Sequence, residues 1–274
     1  MSRAGQQPRI SDLPSAGSRL DQIRDILGDR RPALFLDYDG TLTPIVDDPA
    51  DARLPTATRE VIERLAARTV VAIISGRDLE DVRALVAIDG IWYAGSHGLD
   101  LLDPAGKRTE QAREFLPALA SAEADLRDLI GDVEGARLER KHFAIAVHER
   151  QVPPRLRGEV KEAVDSVAAG HPQLRVTGGK RIHELRPDID WDKGAALRWL
   201  IDELELSDDA YLPVYIGDDE TDEDAFRALG QGGLRLVVRG EDDARSTQAD
   251  YVLADPREAC QLLERIVDWV APVG

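Results

Sequence analysis

Apolar and polar positions fall into alternating blocks along the chain. "LDQIRDIL" (20–27) has apolar residues at helical spacing and stops at Gly28, and "TATREVIERLAAR" (56–68) and "LEDVRALV" (79–86) repeat the pattern. Between them stand continuous apolar runs: "ALFLDY" (33–38), "TVVAIISGR" (69–77) and "IWYAGSHG" (91–98). Runs without alternation fit strands buried on both faces. A strand–helix–strand rhythm of this kind predicts a parallel sheet with crossover helices.

The rhythm breaks after residue 98. "GLDLLDPAGKRTE" (98–110) reads as a hairpin around Pro-Ala-Gly, and "LPALASAEADLRDLI" (116–130) as a helix. "ARLERKHFAIAVHER" (136–150) alternates through Phe143, Ile145 and Val147, as an antiparallel strand covered on one face would. "PRLRGEVKEAVDSVAAG" (154–170) is helical, and "LRVTGGKRIHELRP" (174–187) reads as two strands joined at Gly178-Gly179. From Trp191 the first rhythm returns. "WDKGAALRWLIDEL" (191–204) is a helix, "LPVYIGDDETDEDAF" (212–226) a strand running into acids, and "LRLVVR" and "YVLADP" are short strands before the closing helix "PREACQLLERIVDWV" (256–270). The predicted fold is α/β: a Rossmann-like parallel-sheet core over 19–101 and 190–274, an inserted α+β domain at 102–189, and a disordered segment, rich in Pro, Gly, Ser and Gln, at 1–18.

Charge narrows the partners. Against 35 Lys and Arg stand 52 Asp and Glu, a net charge of −17 over 274 residues. Such a surface repels nucleic acid and anionic membranes. It also repels an anionic substrate unless a cation or a local basic group offsets the field. The single cysteine, Cys260, excludes an intrachain disulfide. No apolar run approaches the roughly 18 residues of a membrane span, and the N-terminus lacks the apolar stretch of a secretion signal. A cytoplasmic protein with a small-molecule substrate, acting as a monomer, is expected.

Polar groups collect at the ends of three predicted core strands: Asp37, Asp39 and Thr41; Ser75 and Arg77; and Asp218, Asp219 and Asp222. Ligands of open parallel sheets bind beyond the carboxyl ends of strands. Asp39-Gly40 taken alone is a hairpin signal in which the acids merely solvate a turn. Taken with the other strand ends, and with Lys193 at the start of a returning helix, it is a site. Crowded carboxylates repel one another unless a cation neutralises them, and hard oxygen ligands suit Mg²⁺. Asp37 and Asp39 share one side of an extended chain. One can attack a phosphorus while the other handles the proton of the leaving oxygen. Ser75 and Lys193 would hold the phosphoryl oxygens.

"DYDGT", the strand-end Ser75, Lys193 and "GDDETD" together resemble the four motifs of the haloacid dehalogenase-like phosphatases. "FLDYDGTLTPIVDDP", "ISGR", "GSHG", "RIHELRP" with "DKGAAL", and "IGDDETDEDAF" narrow the resemblance to the trehalose-6-phosphate phosphatase family, over roughly residues 32–254. The resemblance implies Asp37 as nucleophile and metal ligand, and Asp39 as general acid/base with its main-chain carbonyl on the metal. It implies Asp218 as the third ligand, with Asp222 behind it orienting Lys193 or a metal-bound water, and Asp219 open between these roles. Thr41, Ser75 and Lys193 match phosphate-positioning groups. The insert matches a mobile cap in which Glu139, Lys141, Arg150, Lys180 and Glu184 bind sugar hydroxyls, while Arg77, Ser96 and His97 lie on the core side of the cleft. The implied reaction is Mg²⁺-dependent hydrolysis of trehalose 6-phosphate, the last step of trehalose synthesis. Rival readings are a phosphatase of another sugar phosphate, such as sucrose 6-phosphate or a glycosylglycerate phosphate, a catalytically silent sugar-phosphate binder, and a phosphotransferase.

Overall fold

The computed structural model describes residues 7–46, 48–179, 181–206, 209–240 and 244–270. The chain divides into two compact units, one of Met1–Thr109 with Trp191–Gly274 and one of Glu110–Asp190.

In the first unit, α1 (Leu20–Leu27) precedes β1 (Arg31–Leu36), α2 (Thr56–Ala66), β2 (Val71–Ile74), α3 (Leu79–Val86), β3 (Trp92–Gly95), β4 (Asp100–Leu102) and β5 (Arg108–Glu110). Three helices and three strands complete it, taken here out of order because the second unit intervenes: α6 (Lys193–Glu203), β10 (Tyr211–Gly217), α7 (Asp222–Leu229), β11 (Leu234–Val238), β12 (Tyr251–Leu253) and α8 (Pro256–Trp269). The eight-stranded sheet runs β12-β11-β10-β1-β2-β3-β4-β5. The pairs from β12 through β3 are parallel. Strand residues alternate between two buried layers. Leu34, Leu36, Ile73 and Ile216 join one apolar cluster, whereas Ala33, Phe35, Ala72 and Tyr215 join the other. Burial on both faces is why these strands read as unbroken apolar runs. From β1 the chain passes outward to β2 and β3, then returns to the other flank at β10, so β1 and β10 form the switch point where such sheets bind ligands.

Two expectations change here. β4 pairs antiparallel with β3, Leu101 opposite Ala94, and both side chains are buried in one cluster. The hairpin over 98–110 therefore extends the core sheet, and the second unit begins at Glu110, not at 102. Residues 1–6 lie outside the described residues, but the segment from Pro8 to residue 18 is structured. Ile10 is buried, the Ile10 and Thr247 amides bond the Arg245 and Pro8 carbonyls, and Ala16 donates to Val252. Ile10 gives this polar stretch an apolar anchor, and edge strand β12 offers it hydrogen bonds.

The second unit carries α4 (Leu116–Ile130), β6 (Arg137–Arg140), β7 (Ile145–His148), α5 (Arg157–Gly170), β8 (Leu174–Gly179) and β9 (Ile182–Pro187). Its four-stranded sheet runs β6-β7-β9-β8 and is antiparallel throughout. Residues 136–150 thus form two strands, not one. Apolar alternation continues through the turn at Phe143, which is buried like Ile145 and Val147, and this hides the reversal. Among the described residues no helix is long and apolar enough to cross a membrane.

Candidate active site

Asp37 follows β1 directly. Its amide donates to the Ile216 carbonyl (2.9 Å), carrying the β1–β10 ladder one step past the strand and fixing the side chain over the carboxyl edge. Only 4% of the residue is exposed. Lys193 enters from the first turn of α6, which Asp192 caps by accepting from the Ala195 amide. Its Nζ donates to Asp37 Oδ1 (2.8 Å) and Asp222 Oδ1 (2.7 Å) and lies 3.9 Å from Asp219. Burial disfavours the ammonium, but the charges of Asp222 and Asp37 outweigh it and hold Lys193 protonated. For Asp37, burial is the largest influence and pushes its carboxyl up, against Lys193 and with the neighbouring acids.

The loop after β10 brings the other acids. Asp222 is fully buried and accepts four hydrogen bonds: from Lys193 Nζ and Tyr215 Oη at Oδ1, and from the Asp218 and Asp219 amides at Oδ2. A Cβ at Gly217 would come 2.2 Å from Asp222 Cγ, so this loop closes only on glycine. Asp219 accepts from the amides of Thr221 and Asp222 and from the Thr221 hydroxyl. Burial pushes its carboxyl up, but Lys193 and these hydrogen bonds outweigh that and lower it to about 2. Asp218 accepts from Thr41 Oγ1 (3.2 Å). Burial, reinforced by the charges of Asp222 and Asp219, raises its carboxyl from 3.8 to about 7. The turn after Asp39 shapes itself around Asp218: Gly40 has φ of +78°, and a Cβ there would come 2.2 Å from Asp218 Oδ2.

Asp37, Asp218 and Asp222 each bring a carboxylate oxygen within 4.8 Å of the others, which fits a hard divalent cation. The four donors on Asp222 occupy its acceptor sites, so Asp37 and Asp218 are the carboxylates left to bind one. A test follows from the Asp218 shift. A group whose folded value is raised stabilises the fold below about pH 4, and that contribution is lost as pH rises through about 7. A cation replaces the missing proton above that range and competes with it below. Added Mg²⁺ is therefore expected to raise the melting temperature more at pH 8 than at pH 5. Equal gains at both would contradict the assignment.

The remaining strand-end residues take distinct places. Asp39 does not join the carboxylate cluster; its carboxylate is gripped by Arg77, through Nε and Nη2, each at 2.7 Å. Arg77 also reaches Asp81 and lies over the Tyr38 ring, and the Asp39 hydrogen bonds push its guanidinium further up. Thr41 and Ser75 are buried; Ser75 Oγ accepts from the Arg77 amide, and its carbonyl from the His97 amide. Ser96 donates its hydroxyl to Asp78, and Ser96 and His97 both have positive φ, 51° and 57°. The hairpin signal at Asp39-Gly40 marks a tight turn, closed by Gly40 N to Thr43 O, with no strand between β1 and β2 among the described residues. The sequence reading missed Tyr215. Its signal is a phenol in a strand buried on both faces, where the hydroxyl needs a partner.

In the second unit, Glu139, Ala146 and Glu184 are successive cross-strand partners, which puts both glutamates on one sheet face. Lys141 Nζ pairs with Glu184 Oε1 (2.6 Å), and Glu139 Oε2 with His148 Nε2 (2.8 Å) and Arg137 (3.1 Å). Arg150 is exposed in the turn after β7. Lys180 lies outside the described residues.

Comparison with known proteins places these residues in context. The Trehalose-phosphatase family matches residues 35–257. A trehalose-phosphate phosphatase of Mycolicibacterium paratuberculosis is 46% identical over 267 residues, which is 95% of this chain and 68% of that protein. Among solved structures, a trehalose-6-phosphate phosphatase related protein superposes with TM-score 0.72 at 27% identity, covering 86% of this chain and 97% of the other. An Aspergillus fumigatus trehalose-6-phosphate phosphatase does so with TM-score 0.65 at 26% identity, over 93% and 99%.

Proposed function

Because the chain belongs to the trehalose-phosphatase family, we propose that its acidic crevice hydrolyses trehalose 6-phosphate to trehalose and inorganic phosphate with Asp37 as the nucleophile. Dephosphorylation of trehalose 6-phosphate, the last step of trehalose synthesis, is the family's reaction, and the chain is a phosphoric monoester hydrolase. The observation that carries the residue assignment is a buried Asp37 paired with a buried Lys193 at the switch point of the sheet.

In this reading an Asp37 oxygen attacks phosphorus while the bond from phosphorus to the sugar's O6 breaks. Asp39 gives the leaving oxygen a proton. Water then attacks the phosphoryl-aspartate, Asp39 takes up its proton, and phosphate departs with the Asp37 carboxylate restored. Thr41, Ser75 and Lys193 hold phosphoryl oxygens, and Lys193 offsets the charge gathering on them. Asp39 must leave Arg77 to act, and the substrate phosphate is the anion that can draw Arg77 away. Asp37, Asp218 and the Asp39 main-chain carbonyl would hold Mg²⁺, which when bound offsets the negative charge of phosphate and carboxylates. Asp222 and Asp219 set the loop and the ammonium.

In the second unit, Glu139, Lys141, Arg150, Lys180 and Glu184 are the proposed partners of sugar hydroxyls; in the first unit, Arg77, Ser96 and His97 are proposed substrate-binding residues. Hydroxyls removed from water need such partners. The protein is proposed to act as a cytoplasmic monomer.

Phosphate release with Mg²⁺ from trehalose 6-phosphate, sucrose 6-phosphate, glucose 6-phosphate and p-nitrophenyl phosphate tests the substrate. A strong preference for the first is expected, and preference for another sugar phosphate would overturn it. Lys141→Ala and Glu184→Ala are each expected to lower kcat/KM for trehalose 6-phosphate by roughly tenfold or more, the cost of a lost charged hydrogen bond, with little change on p-nitrophenyl phosphate. Equal losses on both substrates would remove these residues from sugar recognition.

A further inference from the structure

Asp218 is held at both of its main-chain polar groups. Its amide donates to Asp222, a member of the motif, but its carbonyl accepts from a residue far along the chain, Arg245 Nη2 at 2.8 Å. The same guanidinium donates through Nη1 to Glu223 Oε1 (2.7 Å), and the other oxygen of Glu223 accepts from the Gln248 amide (2.9 Å). Both side chains are nearly buried, 13% and 14% exposed. Arg245 is itself anchored. Its carbonyl accepts from the Ile10 amide, Thr247 donates to Pro8, and Arg9 bridges to Ser246. Ile10 in turn is buried in the same apolar cluster as Ala225 and Phe226 of α7. A continuous run of contacts thus joins the N-terminal segment, the Arg245 loop and the acidic loop after β10.

We propose that Arg245 is a positioning residue for the metal-binding loop, holding the Asp218 carbonyl so that the Asp218 carboxylate faces Asp37 and is already placed to accept a divalent cation. The inference rests on Asp218 being a ligand. Charge-assisted bonds from a guanidinium are strong and directional, and a ligand placed in advance spares the ordering cost at binding. Because Glu223 neutralises Arg245, the brace adds no net positive charge behind the site.

The test measures binding of Mg²⁺ alone by calorimetry, and turnover of p-nitrophenyl phosphate against Mg²⁺ concentration. Arg245→Met is expected to weaken the Mg²⁺ Kd by roughly tenfold. At saturating Mg²⁺, kcat is expected within about threefold of the parent, since no transition-state contact is removed. Arg245→Lys, which keeps one of the two bonds, is expected to recover part of the affinity. The double variant Glu223→Gln with Arg245→Met leaves no stranded buried charge, so it keeps the test open if the single variant folds poorly; it is expected to show the same weakened Kd. Asp218→Asn is expected to abolish measurable binding. An unchanged Kd in the Arg245 variants, even with a lowered melting temperature, overturns the brace if Asp218→Asn still loses the metal. An unchanged Kd in Asp218→Asn overturns the ligand assignment beneath it.

Discussion

Asp37→Asn is expected to lower kcat by about 10⁴-fold or more at saturating Mg²⁺, equivalent to roughly 5 kcal/mol of lost transition-state stabilisation. The change is nearly isosteric. The amide oxygen can still accept from Lys193 Nζ, which the carboxylate now does at 2.8 Å, and Lys193 keeps Asp222 as its counter-charge. What disappears is the electron pair that bonds to phosphorus. The fold should survive, because burial and neighbouring acids already work against charge at Asp37. An unchanged or raised melting temperature without metal is the companion result. Acid quench during turnover should trap a phosphorylated protein from the parent and none from the variant. Turnover within about tenfold of the parent would remove Asp37 from the nucleophile's role.

The sequence carried the core of this site because the physics there is local. A strand buried on both faces must be apolar until its carboxyl end, so acids appearing after Leu36 and Ile216 mark that edge whatever they do. Helix limits were also local: Gly28, with φ of +58°, ends α1, and Asp192 starts α6. The turn signal in Asp39-Gly40 was real, but Gly40 serves the close approach of Asp218, not a hairpin. Contacts set by long-range packing were illegible. Nothing near Arg77 announces that it would take Asp39, and nothing near Arg245 points to Asp218. The reversal between β6 and β7 was hidden for a different reason. Arg140 donates to the His142 and Ala144 carbonyls and tightens the turn, so buried alternation passes through it without a gap.

Asp222→Ala carries the largest expected stability loss, about 3–5 kcal/mol, because it removes one of the two carboxylates that neutralise the buried Lys193 ammonium and leaves the buried Tyr215 hydroxyl unpaired. Four donors converge on this carboxylate, and each loses its partner: the Lys193 ammonium, the Tyr215 hydroxyl and the amides of Asp218 and Asp219. Lys193 would retain only Asp37 within hydrogen-bond distance, with Asp219 at 3.9 Å. A lowered denaturant midpoint with an unchanged slope is the expected readout. Asp222→Asn separates the roles of the two oxygens. Its amide oxygen can replace Oδ1 toward Lys193 and Tyr215, but its NH₂ would then face the two loop amides, donor against donor. Asparagine should therefore keep Lys193 placed yet loosen the loop that carries Asp218. Weakened Mg²⁺ affinity with a smaller stability loss than alanine is expected. Were Asp222 an inner ligand of the metal instead, alanine would cost affinity but little stability in the metal-free protein. The burial of Lys193 and Tyr215, two of the four donors, argues that the stability loss will be the larger effect.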